Sequence, residues 1–565
     1  MYVLGVNELY HDCSAALVEN GRLVAVVEEE RLDRVKHTPG LCWGGDAPRR
    51  SMAWCLDAFG VRDDQVAAVA LTYDMNAYLA IKTIVDAVVS NVRRMRIRDI
   101  VSQRIRGGDH AANVVHGNIA GYFGKRKAWI HEMRRRFGTV LEIPHHRCHA
   151  SSTFRLSGFD RANILVVDGL GEDDSTSLFA GEGATIRGPF ETWNQYQSLG
   201  MLYKTVTFLL GFGYFGDGKT MGLSSYGQFR EAFGDIIVPT RQGYRIRPER
   251  LRRLSPYARR GPDAPITQDH KDIAFTIQTQ LEQAAASLAT RLHRDTGYRK
   301  LCVAGGVGLN CNMNAVLRRL PFVDDLFVQP GAMDMGTAIG AALEASAMMG
   351  VAPGERLEHV YYGPEYPADE VRAAILNAGL TPNPRPEGDL LKEAARLVHE
   401  GKVIGWFQGR LEFGPRALGN RTLVAAPVSV EIRDRVNRIK QRELWRPLAP
   451  AVLAEAADHW FEDAAPSPFM TLTFHFRPEV RERVPGVVHV DGTARVQTVH
   501  AETNPRFHAL IREYQALSGL PLVINTSFNR RVEPIVCTPN EAIATYLATE
   551  MDALVLGDHL LEKTA

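Results

Sequence analysis

The sequence predicts an α/β protein with more than one domain and a duplicated unit in its N-terminal part. A strand-turn-strand pattern begins at residue 2 and occurs again from residue 164. Helical patterns, apolar strands and glycine-rich turns then alternate between residues 272 and 349. The chain has 565 residues and is 45 % hydrophobic, which is too long for one ordinary core and apolar enough for two or three.

The two strand-turn-strand patterns share one design. The first consists of "YVLGVN", "SAALVE" and "RLVAVVEEE", with a tight Asn-Gly turn before the third strand, and the second consists of "ILVVDG", "STSLFAG" and "ATIRG". Asn7 and Ser14 of the first align without gaps with Asp168 and Ser175 of the second. Because each hairpin begins a domain half, we expect a ligand cleft between the halves. The duplication resembles the actin and sugar-kinase architecture.

A glycine-rich turn follows the long helical pattern "DIAFTIQTQLEQAAASLATRLHRDTG" and the strand "KLCVAGG". A second strand, "DDLFVQP", leads through "GAMDMG" to the helical segment "TAIGAALEASAMM". Glycines at such turns let backbone amides approach a phosphate or a nucleotide, although many are simply tight turns. In this order after a duplicated hairpin, the turn favours nucleotide binding by Gly305, Gly306 and Asn310.

The segment "PHHRCHA" places His145 and His149 four residues apart. In a helix both imidazoles lie on one face and can share a divalent ion, whereas the alternative is a helix start with capping histidines. Asp168 and Asp334 end strands that face the same predicted cleft. Two histidines and two carboxylates suit iron(II), manganese or zinc, and we interpret Cys148 as a packed small residue.

The overall charge is balanced, with 66 Lys and Arg against 65 Asp and Glu, which argues against a general polyanion binder. The seven cysteines include no CxxC pair and form no disulfide framework, so we expect the protein to be located in the reducing cytoplasm. No signal-like or membrane-spanning segment is recognised, so we expect no membrane association. Residues 92–137 are basic and helical in pattern, and nucleic-acid binding there is the minor interpretation. The sequence leaves open whether the protein forms a homodimer.

The C-terminal half begins near residues 350–365, where Pro353 and Gly354 mark a linker. Gly414 and Gly419 break the helical period in "EFGPRALGNR" and predict a loop. The alternative for its basic residues is a solvated face. We assign Arg416 and Lys440 to charge stabilisation of phosphates, and the wider basic set is Arg410, Arg416, Arg421, Lys440, Arg442 and Arg446.

The segment "LVINTSFN" ends an apolar strand with hydroxyl and amide groups. Groups at that location can orient phosphate oxygens or a carbamoyl group. With Arg446, the residues assigned to the cofactor here are Asn525, Ser527 and Asn529, and Thr526 lies between them.

Nine segments together resemble the NodU/CmcH carbamoyltransferase family over nearly the whole chain. They are "DCSAAL", "EEERLDRVKH", "HHRCHASS", "VVDGLGE", "GKTMGLSSYG", "AGGVGLN", "EFGPRALGNR", "RPLAPAV" and "NTSFN". The family includes the tobramycin carbamoyltransferase and enzymes acting on cephalosporins, ansamycins and Nod factors. The resemblance implies a duplicated actin/sugar-kinase-like (ASKHA), threonylcarbamoyltransferase-like domain over residues 1–355. It also implies a YrdC-like, carbamoyl-adenylate-forming α/β domain over residues 356–565.

The resemblance also implies roles for individual residues. The metal ligands are His145, His149, Asp168 and Asp334. His11 and Asp12 form the polar pair at the acceptor site, Lys36 lines the adenylate, and Asp217 joins the cofactor-binding residues. The family often has Asp-Asp-Gly where this chain has Asp334-Met335-Gly336, which matters only if the second aspartate is the ligand.

The implied reaction joins ATP, with Mg²⁺, and carbamoyl phosphate into carbamoyl-adenylate and pyrophosphate. A hydroxyl of a small-molecule antibiotic or other secondary metabolite then takes the carbamoyl group, with His11 as general base or, equally, as a simple turn histidine. Iron(II) is the favoured metal. The alternatives are a tRNA-modifying threonylcarbamoyl-type transferase, a nucleotide-gated binding protein without enzymatic activity, and a sugar kinase that releases ADP.

Overall fold

The computed structural model describes residues 1–74, 119–352 and 355–563. The predicted linker residues Pro353 and Gly354, and residues 92–118 of the basic segment, lie outside the described residues. Within the described ranges, no helix combines the length and the apolar character that a membrane crossing requires.

The first predicted repeat forms a five-stranded sheet with the strand order β3-β2-β1-β4-β5. The hairpin strands β2 and β3 are antiparallel to their neighbours, and β4 and β5 add in parallel on the other side of β1. The tight turn has φ of 49° at Asn20 and 79° at Gly21, as an Asn-Gly hairpin turn requires. The strands are β1 (Tyr2–Asn7), β2 (Ser14–Glu19), β3 (Arg22–Glu28), β4 (Val66–Leu71) and β5 (Val140–Glu142).

The second repeat forms a sheet of the same design, with the order β8-β7-β6-β11-β12. Its hairpin is antiparallel to β6, and β11 and β12 add in parallel on the other side. The predicted duplication is therefore confirmed in both strand order and strand direction. The strands are β6 (Arg161–Val167), β7 (Asp174–Glu182), β8 (Thr185–Asn194), the separate hairpin β9 (Ile237–Thr240) and β10 (Gly243–Ile246), β11 (Lys300–Ala304) and β12 (Asp325–Val328).

The predicted third strand ends at Glu28, two residues earlier than the pattern indicated, because Glu29 and Glu30 begin a short helix. Acidic side chains are favourable in a first helical turn, where the backbone N–H groups point outward. The predicted helices over 272–297 and 337–349 are confirmed. The helices of this half are α1 (Glu29–Asp33), α2 (Arg49–Asp57), α3 (Ile119–Phe137), α4 (His145–Phe154), α5 (Leu199–Leu209), α6 (Asp217–Ser224), α7 (Pro248–Ala258), α8 (Gln268–Thr296), α9 (Cys311–Arg318) and α10 (Thr337–Met348).

Helices α4 and α10 pack against each other and share one apolar core with strands of both sheets. Their close approach depends on glycine. A Cβ atom on Gly340 of α10 would lie 1.8 Å from the Cys148 carbonyl oxygen of α4, and one on Gly5 of β1 would lie 1.9 Å from the Ala338 carbonyl oxygen of α10. These contacts bring the N-terminal ends of both helices to the end of β6.

The C-terminal half contains a seven-stranded mixed sheet with the order β18-β15-β19-β14-β13-β20-β21 and a separate apolar core. The predicted loop "EFGPRALGNR" is confirmed, since it connects β13 to β14. The predicted YrdC-like relation and the boundary at residue 355 stay predictions. The strands are β13 (Ile404–Phe407), β14 (Arg421–Ala425), β15 (Ala449–Leu453), β16 (Thr473–His475), β17 (Thr493–Arg495), β18 (Gln497–Val499), β19 (Leu522–Ser527), β20 (Ala553–Leu556) and β21 (His559–Glu562).

Helices surround this sheet, and α12 and α15 pack against each other beside it. The C-terminal helices are α11 (Ala368–Asn377), α12 (Glu387–His399), α13 (Val430–Ile439), α14 (Ala457–Trp460), α15 (Pro505–Ser518) and α16 (Pro539–Leu547).

Candidate active site and metal centre

Four side chains converge where the two N-terminal sheets meet. His145 and His149 lie on one face of α4, Asp168 directly follows β6, and Asp334 begins the turn before α10. All four are buried, and one ligand atom from each lies within 4.8 Å of the others. The structure therefore brings together the four residues that the sequence analysis predicted as metal ligands.

The spacing of these atoms matches a coordination sphere. The two Nε2 atoms are 3.1 Å apart, and the distances from His145 Nε2 are 3.2 Å to Asp168 and 3.8 Å to Asp334. A tetrahedral ion with bonds of about 2.0–2.1 Å separates neighbouring ligands by about 3.3 Å. Two imidazole nitrogens at this distance with two carboxylates fit a first-row divalent ion.

Electrostatics within the cluster tie the histidines to Asp168. Burial lowers the pKa of His145, but the hydrogen bond to Asp168 and the charge of Asp334 outweigh burial and raise it above its ordinary value. Burial raises the pKa of Asp168, but its contacts with His145 and His149 outweigh burial and hold it well below its ordinary value. Asp168 is therefore ionised and available as an anionic ligand.

The glycine-rich turn shapes this cluster. The Gly306 N–H donates to Asp168 Oδ1 at 2.8 Å, and Gly305 adopts φ of 89°. A Cβ atom on Gly305 would lie 2.3 Å from the Val167 carbonyl oxygen. The sequence analysis assigned both glycines to nucleotide binding. The hydrogen bond that the structure provides instead joins the Gly306 N–H to Asp168, a predicted metal ligand.

Neighbouring groups orient the His145 ring and hold helix α4 in place. The Tyr73 ring stacks on His145 with 4.3 Å between ring centroids, and its hydroxyl donates to Asp334 at 3.4 Å. On the other side of α4, Glu344 of α10 pairs with Arg147 and Arg155 at 2.7 and 2.8 Å. Sequence reasoning missed this ion-pair triad, which fixes α4 to α10.

His11 and Asp12 form a hydrogen-bonded pair, and a second imidazole joins them. Asp12 is buried with φ of 51°, and its two oxygens contact His11 Nδ1 at 2.7 Å and His37 Nδ1 at 2.8 Å. Burial lowers the pKa of His11, but the charge of Asp334 and the bond to Asp12 outweigh burial and raise it to about 9. The sequence analysis chose Lys36 and missed the adjacent His37. Lys36 is exposed, and its ammonium donates to the Arg531 carbonyl.

Aromatic rings line this pair. His37 stacks on Phe215 with 3.7 Å between centroids, and His11 lies 5.0 Å from Trp43. The predicted cofactor residue Asp217 begins α6 beside this wall, where its carboxylate lies 3.4 Å from the Lys204 ammonium. The His11 imidazole is therefore presented beside an apolar surface, with Asp12 at its Nδ1 and with the predicted metal ligand Asp334 near enough for its charge to raise the pKa of His11.

The C-terminal half contributes a cluster of guanidinium groups. Burial and the charges of Arg495 and Arg446 lower the pKa of Arg416 to about 9, so it stays charged at neutral pH. Burial and the charge of Arg446 also lower the pKa of Arg442. In the described part of the chain the Arg416 side chain makes no hydrogen bond and no ion pair, and Arg495 Nε is buried without a partner. Arg495 was missed because a lone arginine in a short strand carries no sequence signal.

Lys440 is brought together with two of the residues assigned to the cofactor. Its ammonium is buried and donates to Ser527 Oγ at 3.0 Å and Asn529 Oδ1 at 2.8 Å. Lys440 therefore orients these side chains rather than facing a cleft alone.

Asn525 and Asn310 are engaged by protein groups. Asn525 Nδ2 donates to Gln497 Oε1 at 2.6 Å inside the C-terminal sheet. Asn310 caps α9 by accepting the Met313 N–H at 3.0 Å, and its amide exchanges two hydrogen bonds with Gln278. Their predicted cofactor contacts stay predictions.

Comparison with known proteins identifies the family. Residues 2–343 match the model "Carbamoyltransferase N-terminus", and residues 395–563 match "Carbamoyltransferase C-terminus". Nodulation protein NolNO of Sinorhizobium fredii is 38 % identical over 99 % of this chain and 80 % of its own length. Nodulation protein NolO of Bradyrhizobium diazoefficiens is 39 % identical over 74 % of this chain and 78 % of its own length.

A further relative, an uncharacterized protein of Synechocystis sp., is 32 % identical over 100 % of this chain and 97 % of its own length. The protein is an enzyme of the transferase class. More specifically, the chain belongs to the carbamoyltransferase family, as the resemblance of its sequence motifs predicted.

Proposed function

We propose that the protein is an ATP-dependent O-carbamoyltransferase that uses carbamoyl phosphate and transfers the carbamoyl group, through carbamoyl-adenylate, to a hydroxyl of a small-molecule natural product. The observation that carries the proposal is the convergence of Arg416, Arg442, Arg446 and Arg495 without a carboxylate on Arg416. Half-buried guanidinium groups that repel one another require a polyanion, and two phosphate-bearing substrates supply one.

Adenylate formation is assigned to this arginine cluster. Atom balance requires one water, which cleaves carbamoyl phosphate to carbamate and phosphate. A carbamate oxygen then bonds to the α-phosphorus of ATP, and the bond to pyrophosphate breaks. The guanidinium groups of Arg416 and Arg495 stabilise the negative charge on the transferring and leaving phosphates, and Mg²⁺ accompanies the ATP. Lys440 holds Ser527 and Asn529 in position beside them.

Carbamoyl transfer is assigned to the N-terminal half. The acceptor hydroxyl oxygen bonds to the carbonyl carbon of the adenylate, the bond to AMP breaks, and the hydroxyl proton passes to the neutral imidazole of His11. Because the pKa of His11 is raised to about 9, the share of this neutral form, and with it the transfer rate, increases as the pH rises toward 9. Because His11 Nδ1 faces Asp12, its Nε2 is the nitrogen left for the acceptor. The aromatic wall of Trp43 and Phe215 suits an acceptor with an apolar face.

The residues that would hold the metal are His145, His149, Asp168 and Asp334. When bound there, a divalent ion supplies a Lewis acid that polarises a carbonyl or phosphate oxygen. Two imidazoles and two carboxylates accommodate iron(II), manganese or zinc, and iron(II) is the ion that we test first.

The experiment incubates the protein with ATP, carbamoyl phosphate and a panel of hydroxylated natural products, with mass detection of a carbamoyl gain. We expect AMP, pyrophosphate and phosphate, and product only when both ATP and carbamoyl phosphate are present. ADP as the sole nucleotide product contradicts the proposal and favours a kinase. A gain of carbamoyl on tRNA instead of on a small molecule favours the tRNA-modifying alternative.

A further inference from the structure

The loop that carries Arg416 is held by an ion pair from the N-terminal half. Glu28 Oε1 accepts the Gly414 N–H at 2.8 Å, and Arg31 Nη2 donates to the Gly414 carbonyl at 2.9 Å. Glu28 and Arg31 contact each other at 3.2 Å, and both are buried. The ion pair therefore occupies both peptide groups of a residue that lies two positions before Arg416.

The peptide groups of Gly414 depend on these hydrogen bonds because the Gly414 backbone has an unusual conformation. It adopts φ of 104°, a conformation outside helix and strand, so no secondary-structure ladder satisfies its peptide groups. From the other side, Glu412 Oε1 accepts the N–H groups of Leu418 and Asn420 at 2.8 and 3.1 Å. Arg416 thus lies in a loop with one carboxylate inside it and the Glu28–Arg31 pair outside it.

The same ion pair is connected to the proposed transfer site. Arg31 Nη1 contacts Glu30 Oε1 at 2.6 Å, and Glu30 Oε2 accepts the His37 N–H at 2.7 Å. The His37 ring in turn contacts Asp12, which contacts His11. Unbroken polar contacts therefore run from His11, in the N-terminal half, to the loop of the arginine cluster in the C-terminal half.

We propose that Glu28 and Arg31 are positioning residues for the first half-reaction, which set the Arg416 loop from the N-terminal half and so align it with the transfer site. This inference rests on the proposed function. The pair is poorly built for stability, because Glu28 Oε2 and Arg31 Nε are buried without hydrogen-bond partners in the described part of the chain. Replacing both side chains with apolar ones still has a cost in stability, because Glu30 loses its Arg31 partner and the Gly414 peptide groups lose theirs.

The test uses the double variant Glu28→Leu/Arg31→Met in the full chain, since removing one partner alone leaves an unpaired buried charge. We measure carbamoyl-phosphate-dependent ATP–pyrophosphate exchange, transfer from separately supplied carbamoyl-adenylate, and the midpoint of thermal unfolding. A shift of about 1 Å in a catalytic group costs about 10²-fold in rate. We therefore expect exchange to fall about 10²-fold, mainly in kcat, while transfer stays near that of the wild type. The unfolding midpoint is expected to fall, because Glu30 and Gly414 lose partners, so both activities are measured below the midpoint of the variant.

The matched control is Arg34→Met. Arg34 also crosses between the halves, donating to the carbonyls of Ile535 and Pro534 at 2.8 and 3.1 Å, but it does not contact the Arg416 loop. We expect the exchange rate of Arg34→Met to be close to that of the wild type. For Arg31→Lys, which keeps a cation and a donor toward Gly414, we expect an exchange rate between those of the double variant and the wild type.

Three outcomes overturn the inference. The first is wild-type exchange in the double variant, and the second is an equal loss of exchange in Arg34→Met, which would indicate general loosening between the halves. The third is a parallel loss of exchange and of transfer from supplied adenylate in the double variant. Absence of exchange in the wild-type protein itself contradicts the proposed function, and the inference then falls with it.

Discussion

Replacing Arg416 with alanine removes one of four guanidinium groups from the proposed adenylate-forming site. In the described residues this side chain makes no hydrogen bond or ion pair, so its removal breaks no such contact there. Burial and the repulsion from Arg495 and Arg446, which together lower its pKa to about 9, no longer act in the variant, so stability stays the same or rises. The expected loss is therefore confined to catalysis.

The magnitude follows from the number of cations that remain. Arg442, Arg446 and Arg495 remain in the cluster, so the variant loses one preorganised donor rather than the whole site. One such donor contributes about 2.7–4 kcal/mol to the transition state, which is a fall of about 10²–10³ in the rate of adenylate formation.

The assay separates the two half-reactions. Arg416→Ala is expected to fail in carbamoyl-phosphate-dependent ATP–pyrophosphate exchange and still to transfer from supplied carbamoyl-adenylate. His149→Ala, on the metal cluster, is expected to do the reverse. If both folded variants lose both activities in parallel, the assignment of the two steps to two sites is refuted.

Three further outcomes are expected. Chelated and reloaded His145→Ala/His149→Ala should retain less of a first-row divalent ion than wild type by elemental analysis, and equal metal content would contradict the ligand assignment. Glu344→Gln should destabilise folding by about 3–5 kcal/mol in urea unfolding, because two arginines lose their buried partner, and an unchanged midpoint would count against that reasoning. In metal-free protein the His11 imidazole should titrate near a pKa of about 9 by NMR, above its ordinary 6.5, and lower in Asp12→Asn. The raised pKa contributes stability below pH 6.5 that is lost as pH rises through about 9, and a pKa at or below 6.5 would refute this.

The duplicated sheets and the metal cluster were predictable because their signals are local. Alternating apolar residues with turn signals define each hairpin, and a spacing of four residues places His145 and His149 on one helix face. Asp168 was found because the second hairpin repeats the first, so the polar ends of equivalent strands meet at one cleft. The predicted third strand was too long, since helix α1 (Glu29–Asp33) begins where three consecutive acidic residues stand.

The sequence by itself determined the family, the repeated α/β unit and four candidate ligands. The family follows from short motifs, and the repeat and the ligands follow from local residue spacing, which has a direct geometric meaning. Only the tertiary structure decided that His37 shares Asp12 with His11, and that Gly306 holds Asp168. It alone placed Arg31 against Gly414, which is 383 residues away in the chain. Contacts between such distant residues follow from how whole sheets and helices pack, and no local pattern of side chains encodes them.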